Sequence, residues 1–166
     1  MNGEKDRWVQ CYFGRQPHRH WGQRGAAGLF LVSEDNALLQ LRADWAHMGG
    51  SWALPGGAIA SGETPLQAAL RETAEETGLF INPAEFDILG DHVFDHGHWK
   101  YTTIVARTRG RPEPRITDNE SEAARWVPFG EIAALDLHPA FAGSVPALLE
   151  IVHARDRPSS LATPRC

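Results

Sequence analysis

Cysteine is scarce in this chain: only Cys11 and Cys166 are present, near its two ends. That count argues against a disulfide framework and against a cysteine-rich zinc site. No apolar run approaches the roughly 20 residues of a membrane span, and the opening MNGEKDRWVQ has no signal-peptide apolar core. A surplus of positive charge is missing as well. With a net charge of −5, nothing global favours nonspecific binding to a nucleic-acid polymer or an anionic membrane. Internal repeats are also absent. What is present is ordinary for a soluble globular protein: 166 residues, 42% hydrophobic and 22% charged, enough for one domain with a proper core. The expected organisation is an irregular N-terminal arm over 1–20, one domain over 21–154 and a flexible tail over 155–166, in a cytoplasmic protein.

The chain is organised around residues 57–79, GAIASGETPLQAALRETAEETGL. A Gly-rich turn, Leu54-Pro55-Gly56-Gly57, leads in, and Gly78 closes the stretch. Between them the sequence predicts a helix of about 14 residues, because its start and stop signals are complete. Thr64 is placed to cap it, Pro65 to occupy its first position, Gln67 to close a capping box and Gly78 to take the left-handed C-cap. Leu66, Leu70, Thr73 and Thr77 mark the inward side, with Ala69 and Ala74 beside it. Glu72, Glu75 and Glu76 share one side of the second half. Each like-charged pair at helical spacing costs about 0.2–0.5 kcal/mol, and the helix dipole disfavours acids near its C-terminus. A cation is needed to compensate, and a hard divalent ion suits carboxylate oxygens.

Elsewhere the pattern is mixed α/β. Strands are expected at 25–32 (GAAGLFLV), 37–41, 51–54, 85–95, 100–107 and 122–127, with helices at 129–134 and 144–154. Pro146 falls in the first turn of the last helix, where proline is tolerated. His18 and His20 flank Arg19 with no partner cluster in the sequence, and read as surface histidines.

Water attacks a diphosphate slowly because both partners are electron-rich. Divalent ions neutralise the phosphate oxygens, orient the chain and acidify a bound water. Three carboxylates on one helical face beside a Gly-rich turn suit that chemistry, although a charge run alone is commonly a solvated face.

The spacing is more specific. Gly57, Glu63, Arg71, Glu72, Glu75, Glu76, Gly78 and Leu79 fall as G-x5-E-x7-R-E-T-x-E-E-x-G-L, which resembles the Nudix box of the Nudix hydrolases, MutT-like proteins among them. Thr73 departs from it, standing where the family has a bulky aliphatic residue. Trp52 to Gly57 resembles the family's lead-in strand and turn, and Ala124-Arg125-Trp126-Val127-Pro128 its late strand, so the likeness covers residues 25–135. It implies a Nudix fold, an α/β/α sandwich around a mixed β-sheet. It also implies hydrolysis of a nucleoside diphosphate linked to another moiety, with Mg2+ or Mn2+. By position, Glu72, Glu75, Glu76 and the Gly56 carbonyl are implied metal ligands, with Arg71 and Glu63 holding them from behind. Family members often add a loop acid: Glu120 fits best, Glu122 second, and Glu75, Glu76 or Glu120 is the general base.

Substrate choice is less sharply written. The proline of ADP-ribose hydrolases and the tyrosine of dinucleoside polyphosphate hydrolases are both missing from Phe94-Asp95-His96-Gly97, and the coenzyme A hydrolase motif is also missing. Trp21, Trp45, Phe94, Trp99 and Tyr101 are candidate base-stacking residues, and Arg15, Arg19, Arg24 and Arg42 candidate phosphate contacts. The best reading is a small-molecule nucleotide as partner, a nucleoside triphosphate or a modified form giving the monophosphate and pyrophosphate. The alternatives are a nucleotide sugar or related conjugate, or a Nudix module that senses a nucleotide without turnover. Monomer and homodimer are both compatible.

Overall fold

The computed structural model describes residues 7–13 and 15–156. Its framework is a seven-stranded mixed sheet with helices on both faces, as the sequence leads one to expect. Strand β3 (Ala26–Ser33) is buried throughout. Its alternate residues serve two cores: Ala27, Leu29 and Leu31 face one, Phe30 and Val32 the other. A strand covered on both faces reads as a continuous apolar run rather than an alternating one, which is the pattern of 25–32. Beside it β8 (Lys100–Thr108) runs parallel, and β7 (Phe86–Asp95) pairs antiparallel with β8.

On its other side β3 pairs with β4 (Asn36–Arg42) only next to their connecting turn, at Val32–Ala37 and Ser33–Asn36. Beyond that the two strands part. The lead-in segment fills the gap, with β5 (Trp52–Ala53) on β4 and β6 (Gly56–Ala58) on β3. Strand β9 (Ser121–Pro128) covers the far edge of β4. This splay delivers the Gly-rich turn to the centre of the sheet, directly in front of the acidic helix.

Helix α1 (Pro65–Thr77) forms as its signals indicate. Thr64 accepts from the Gln67 N–H, the Gln67 side chain returns the bond, and Gly78 adopts φ 67°. Ala68, Ala69, Thr73 and Thr77 are buried against β3, with Leu66 and Leu70 packed at the margin. The irregular Thr73 is fully buried, and its hydroxyl donates to the Ala69 carbonyl at 2.7 Å. That local bond satisfies the hydroxyl that the departure buries. After a 3-10 turn at Pro83–Glu85 the sheet resumes, and β9 leads into the one-turn helix α2 (Phe129–Ile132).

Helix α3 (Pro139–Asp156) covers the opposite face through Phe141, Leu148 and Val152. It begins earlier than the sequence suggests. His138 caps it, its Nδ1 accepting from Ala140 N–H at 3.2 Å and its carbonyl from Ala142 N–H at 2.9 Å. Pro146 therefore lies inside the helix rather than in its first turn. It sits on the exposed side, where water can satisfy the carbonyl that proline leaves without a partner. Arg155 and Asp156 end this helix, and the rest of the expected tail, 157–166, lies outside the described residues.

The N-terminal arm is the larger departure. Instead of irregular chain, β1 (Trp8–Phe13) and β2 (Gln16–Trp21) form an antiparallel hairpin with Trp8 opposite Trp21. Those two rings meet edge to face at 5.5 Å, and Arg19 lies over Trp8 at 5.2 Å. Cross-strand aromatic and cation–π contacts of this kind stabilise a hairpin that has little apolar alternation to reveal it. Among the described residues no helix is long and apolar enough to cross a membrane.

Candidate active site

Arg71 is the hub. From α1 its Nε and Nη2 grip both oxygens of Glu63 at 2.7 and 2.9 Å, a bidentate pair. Nη1 donates to Glu72 at 2.6 Å and to Glu75 at 3.2 Å, while Nη2 also reaches the Ala58 carbonyl at 2.9 Å. Glu63 is itself fixed by the Ala60 N–H at 2.9 Å. The planar guanidinium fork thus ties the loop before α1 to two of the helix acids. Hydrogen bonding to Arg71 holds Glu63 below the usual carboxylate range, and the same bonds raise the Arg71 pKa.

The other acids sit in different surroundings. The Glu72 carboxylate occupies space left by Gly57, where a Cβ would lie 2.5 Å from its carboxyl carbon. Burial raises the Glu72 pKa, with the Arg71 bond opposing. Glu76 is buried beneath the turn: its Oε2 accepts the Gly56 N–H at 2.9 Å, and the Gln40 amide also bonds to it. Burial nonetheless pushes its pKa up to about 8. Gly56 must lack a side chain too, since a Cβ would meet the Tyr101 hydroxyl at 2.5 Å and the Ala27 carbonyl oxygen at 2.6 Å. Glu75, by contrast, faces outward with its side chain 56% exposed.

Glu72, Glu75 and Glu76 line a cleft of about 630 Å3 together with Asp118, Asn119 and Glu120 from the loop before β9. The expected acids are therefore brought together, with Glu120 and not Glu122 lining the cleft. Glu122 points elsewhere, accepting from the Asp44 N–H at 3.2 Å. Sequence reasoning missed Asp118, whose Oδ1 accepts from the N–H groups of Glu120 and Ser121 at 3.2 Å. It missed Gln40 and Ser121 as well, and Phe80 and Arg115 on the cleft wall, Phe80 being 88% exposed. Of these, Gln40 carried a readable signal: it is the lone polar residue within ALLQL.

The oxygen-only donor set suits magnesium or manganese, which favour carboxylates and carbonyls and keep several waters. Among the described residues no three His, Cys, Asp or Glu groups converge closely enough to hold an ion as they stand; Arg71 and the Gly56 N–H engage these carboxylates instead.

The remaining candidates scatter. Trp99 is buried and Tyr101 packs under the sheet, whereas Trp21, Trp45 and Phe94 are exposed. Arg42 donates to the His47 carbonyl at 3.0 Å. His18 and His20 do acquire a partner that the sequence did not reveal: His20 Nε2 lies 2.9 Å from His96 Nδ1.

The fold and this array define a Nudix hydrolase. Residues 22–148 match the NUDIX domain family, and the chain belongs to it. Among solved structures, a Nudix hydrolase from M. smegmatis, RenU, is 37% identical with a TM-score of 0.75, covering 90% of this chain and 96% of that one. Among curated proteins, "Putative 8-oxo-dGTP diphosphatase 3" of Mycobacterium tuberculosis (strain H37Rv) is 39% identical over 178 residues, covering 100% of this chain and 76% of its own. A nucleoside triphosphate pyrophosphatase/Nudix hydrolase fusion protein of Bifidobacterium longum is 40% identical over 136 residues, 76% of this chain. The chain spans 27% of the length of that fusion.

Proposed function

We propose that this chain hydrolyses a pyrophosphate bond in a nucleoside triphosphate, oxidised or otherwise modified, with a divalent ion. Water adds across the anhydride bond between the α- and β-phosphorus atoms, one side taking its hydroxyl and the other its proton, so the products are the nucleoside monophosphate and pyrophosphate. The observation that carries the reading is the cleft in which Arg71 organises Glu63, Glu72 and Glu75 while Glu76 is pinned beneath Gly56 and Glu120 faces them.

Glu72, Glu75, Glu76, Glu120 and the Gly56 carbonyl would hold Mg2+ or Mn2+, which neutralises phosphate oxygens and lowers the pKa of water. Glu76, engaged by the Gly56 N–H and the Gln40 amide, is the fixed acid of the set. Glu75 and Glu120 are exposed to the cleft and placed to accept the proton of the attacking water. Arg71 neutralises charge within the group and keeps Glu72 aimed at the cleft. The choice of a triphosphate draws on the M. tuberculosis relative, which is named "Putative 8-oxo-dGTP diphosphatase 3".

The test is a panel of ordinary and oxidised nucleoside triphosphates, nucleotide sugars and dinucleoside polyphosphates incubated with magnesium, read by chromatography of the products. A triphosphate should give monophosphate and pyrophosphate, and Glu76→Gln should reduce the rate about 100-fold. Cleavage of conjugates alone would move the reading to a conjugate hydrolase. Binding without turnover of any member would leave a sensing module.

A further inference from the structure

Gln40 is 1% exposed in β4, although the preceding Leu38 and Leu39 fill the two apolar cores. A buried amide is costly unless its groups are paired, and this one is paired at both ends. Its Oε1 accepts the Ser121 hydroxyl at 2.8 Å, and its other end bonds to Glu76. Because the Ser121 hydroxyl takes the Gln40 Oε1, the NH2 is the end left to face Glu76, where a donor favours the charged carboxylate. The amide direction is fixed from both sides.

Ser121 follows Glu120 directly. Its N–H and that of Glu120 close onto Asp118, and the Glu120 carbonyl accepts from Ala43 N–H at 2.8 Å. On the other side of the loop, the Thr117 hydroxyl donates to the Glu75 carbonyl at 2.6 Å, and Arg115 N–H to the Thr77 carbonyl at 2.8 Å. The loop's entry is thus tied to the backbone of α1. Its exit is tied through Ser121 and Gln40 to the Glu76 carboxylate.

We propose that Gln40 and Ser121 are positioning residues that lock the helix acid Glu76 to the loop acid Glu120 across the cleft. Neither touches substrate. Their effect is to set the separation of two acids that come from sequence positions 44 residues apart, and it rests on the reading above that these acids act together.

The test uses the full chain with Gln40→Met, Ser121→Ala, the conservative Ser121→Thr, and the double Gln40→Met/Ser121→Ala. Mn2+ alone is titrated by electron paramagnetic resonance, amide hydrogen exchange at 118–121 is followed in metal-free protein, and kcat and KM are measured on the best substrate. Gln40→Met and Ser121→Ala should each weaken Mn2+ binding and lower kcat about ten-fold, with KM shifted less than about two-fold. Both should speed exchange at Glu120 and Ser121. Ser121→Thr should restore binding and kcat, and the double variant should be no worse than the poorer single, because the pair acts as one unit. Single variants indistinguishable from wild type in Mn2+ binding and exchange would overturn the proposal, as would losses that multiply in the double. If Gln40→Met does not fold, the Ser121→Ala and Ser121→Thr pair still decides it. A wild-type protein that binds Mn2+ and shows the exchange response, yet turns over nothing, sinks the hydrolase reading alone. Normal turnover with unaffected variants sinks only the positioning role.

Discussion

At the scale of single residues, the site depends as much on missing atoms as on charged ones. Gly57 is required because the Glu72 carboxylate lies where its Cβ would be, 2.5 to 2.7 Å away. Gly57→Ala is therefore expected to displace Glu72 and break its bond to Arg71. Activity should fall about 10- to 100-fold, while circular dichroism and melting stay close to wild type. Unchanged kcat/KM in that variant would show that the placement of Glu72 is immaterial. Arg71 was legible from the sequence as a support, but its reach was not. Its contact with the Ala58 carbonyl and its two-pronged grip on Glu63 exist only because the loop at 58–63 folds back over α1.

At the scale of elements, α1 and the β1–β2 hairpin mark the two extremes of legibility. The helix carries its own caps, so its limits follow from neighbouring residues alone. The hairpin is fixed by contacts that span the chain: His20 stacks on Trp99 at 4.0 Å, bonds to His96, and the Trp99 indole N–H donates to the Trp21 carbonyl at 3.3 Å. An imidazole–imidazole hydrogen bond needs one unprotonated nitrogen, so protonating both rings removes it. Burial, then His96, then His18, lower the His20 pKa below 6.5. The docked hairpin therefore binds fewer protons than the released one, and docking weakens as the pH falls below about 6.5. Asp95, bonded to Lys100 at 2.9 Å, stands beside His96, and Arg19 turns away to Trp8. Trp99 fluorescence should change between pH 7 and about 5 while α1 stays folded. In His20→Phe, which keeps the stack and loses the titration, that step should disappear; its persistence would assign the change to another group.

At the scale of the whole molecule, the buried acids work against stability until a cation arrives. Burial pushes the Glu76 pKa up from the ordinary 4.5 to about 8 in the metal-free fold. The folded state holds that proton through the interval, so stability should decline as pH rises from 4.5 towards 8. Each kcal/mol corresponds to about 2–4 °C of melting temperature for a chain of this size. In chelator, Tm should therefore fall between pH 5.5 and about 8, and magnesium should raise it more at the alkaline end, since it binds the native state. Glu76→Gln should flatten both trends. A Tm in chelator that rises across the same interval would show that burial does not govern this carboxylate.

The sequence by itself determined whatever is local. The caps of α1, the spacing of Glu72, Glu75 and Glu76 on one face, and the central β3 strand are each set by residues within a few positions of one another. They sufficed to indicate the fold class and the chemistry. Tertiary structure decided what joins distant segments. The splay of β3 from β4 brings Gly56 over Glu76, the loop before β9 brings Glu120 and not Glu122 to the cleft, and Gln40 faces Ser121 across 81 positions. The physical reason is that helical periodicity and capping are short-range, whereas a buried amide, a hairpin's docking site and a loop acid acquire partners only when the sheet closes.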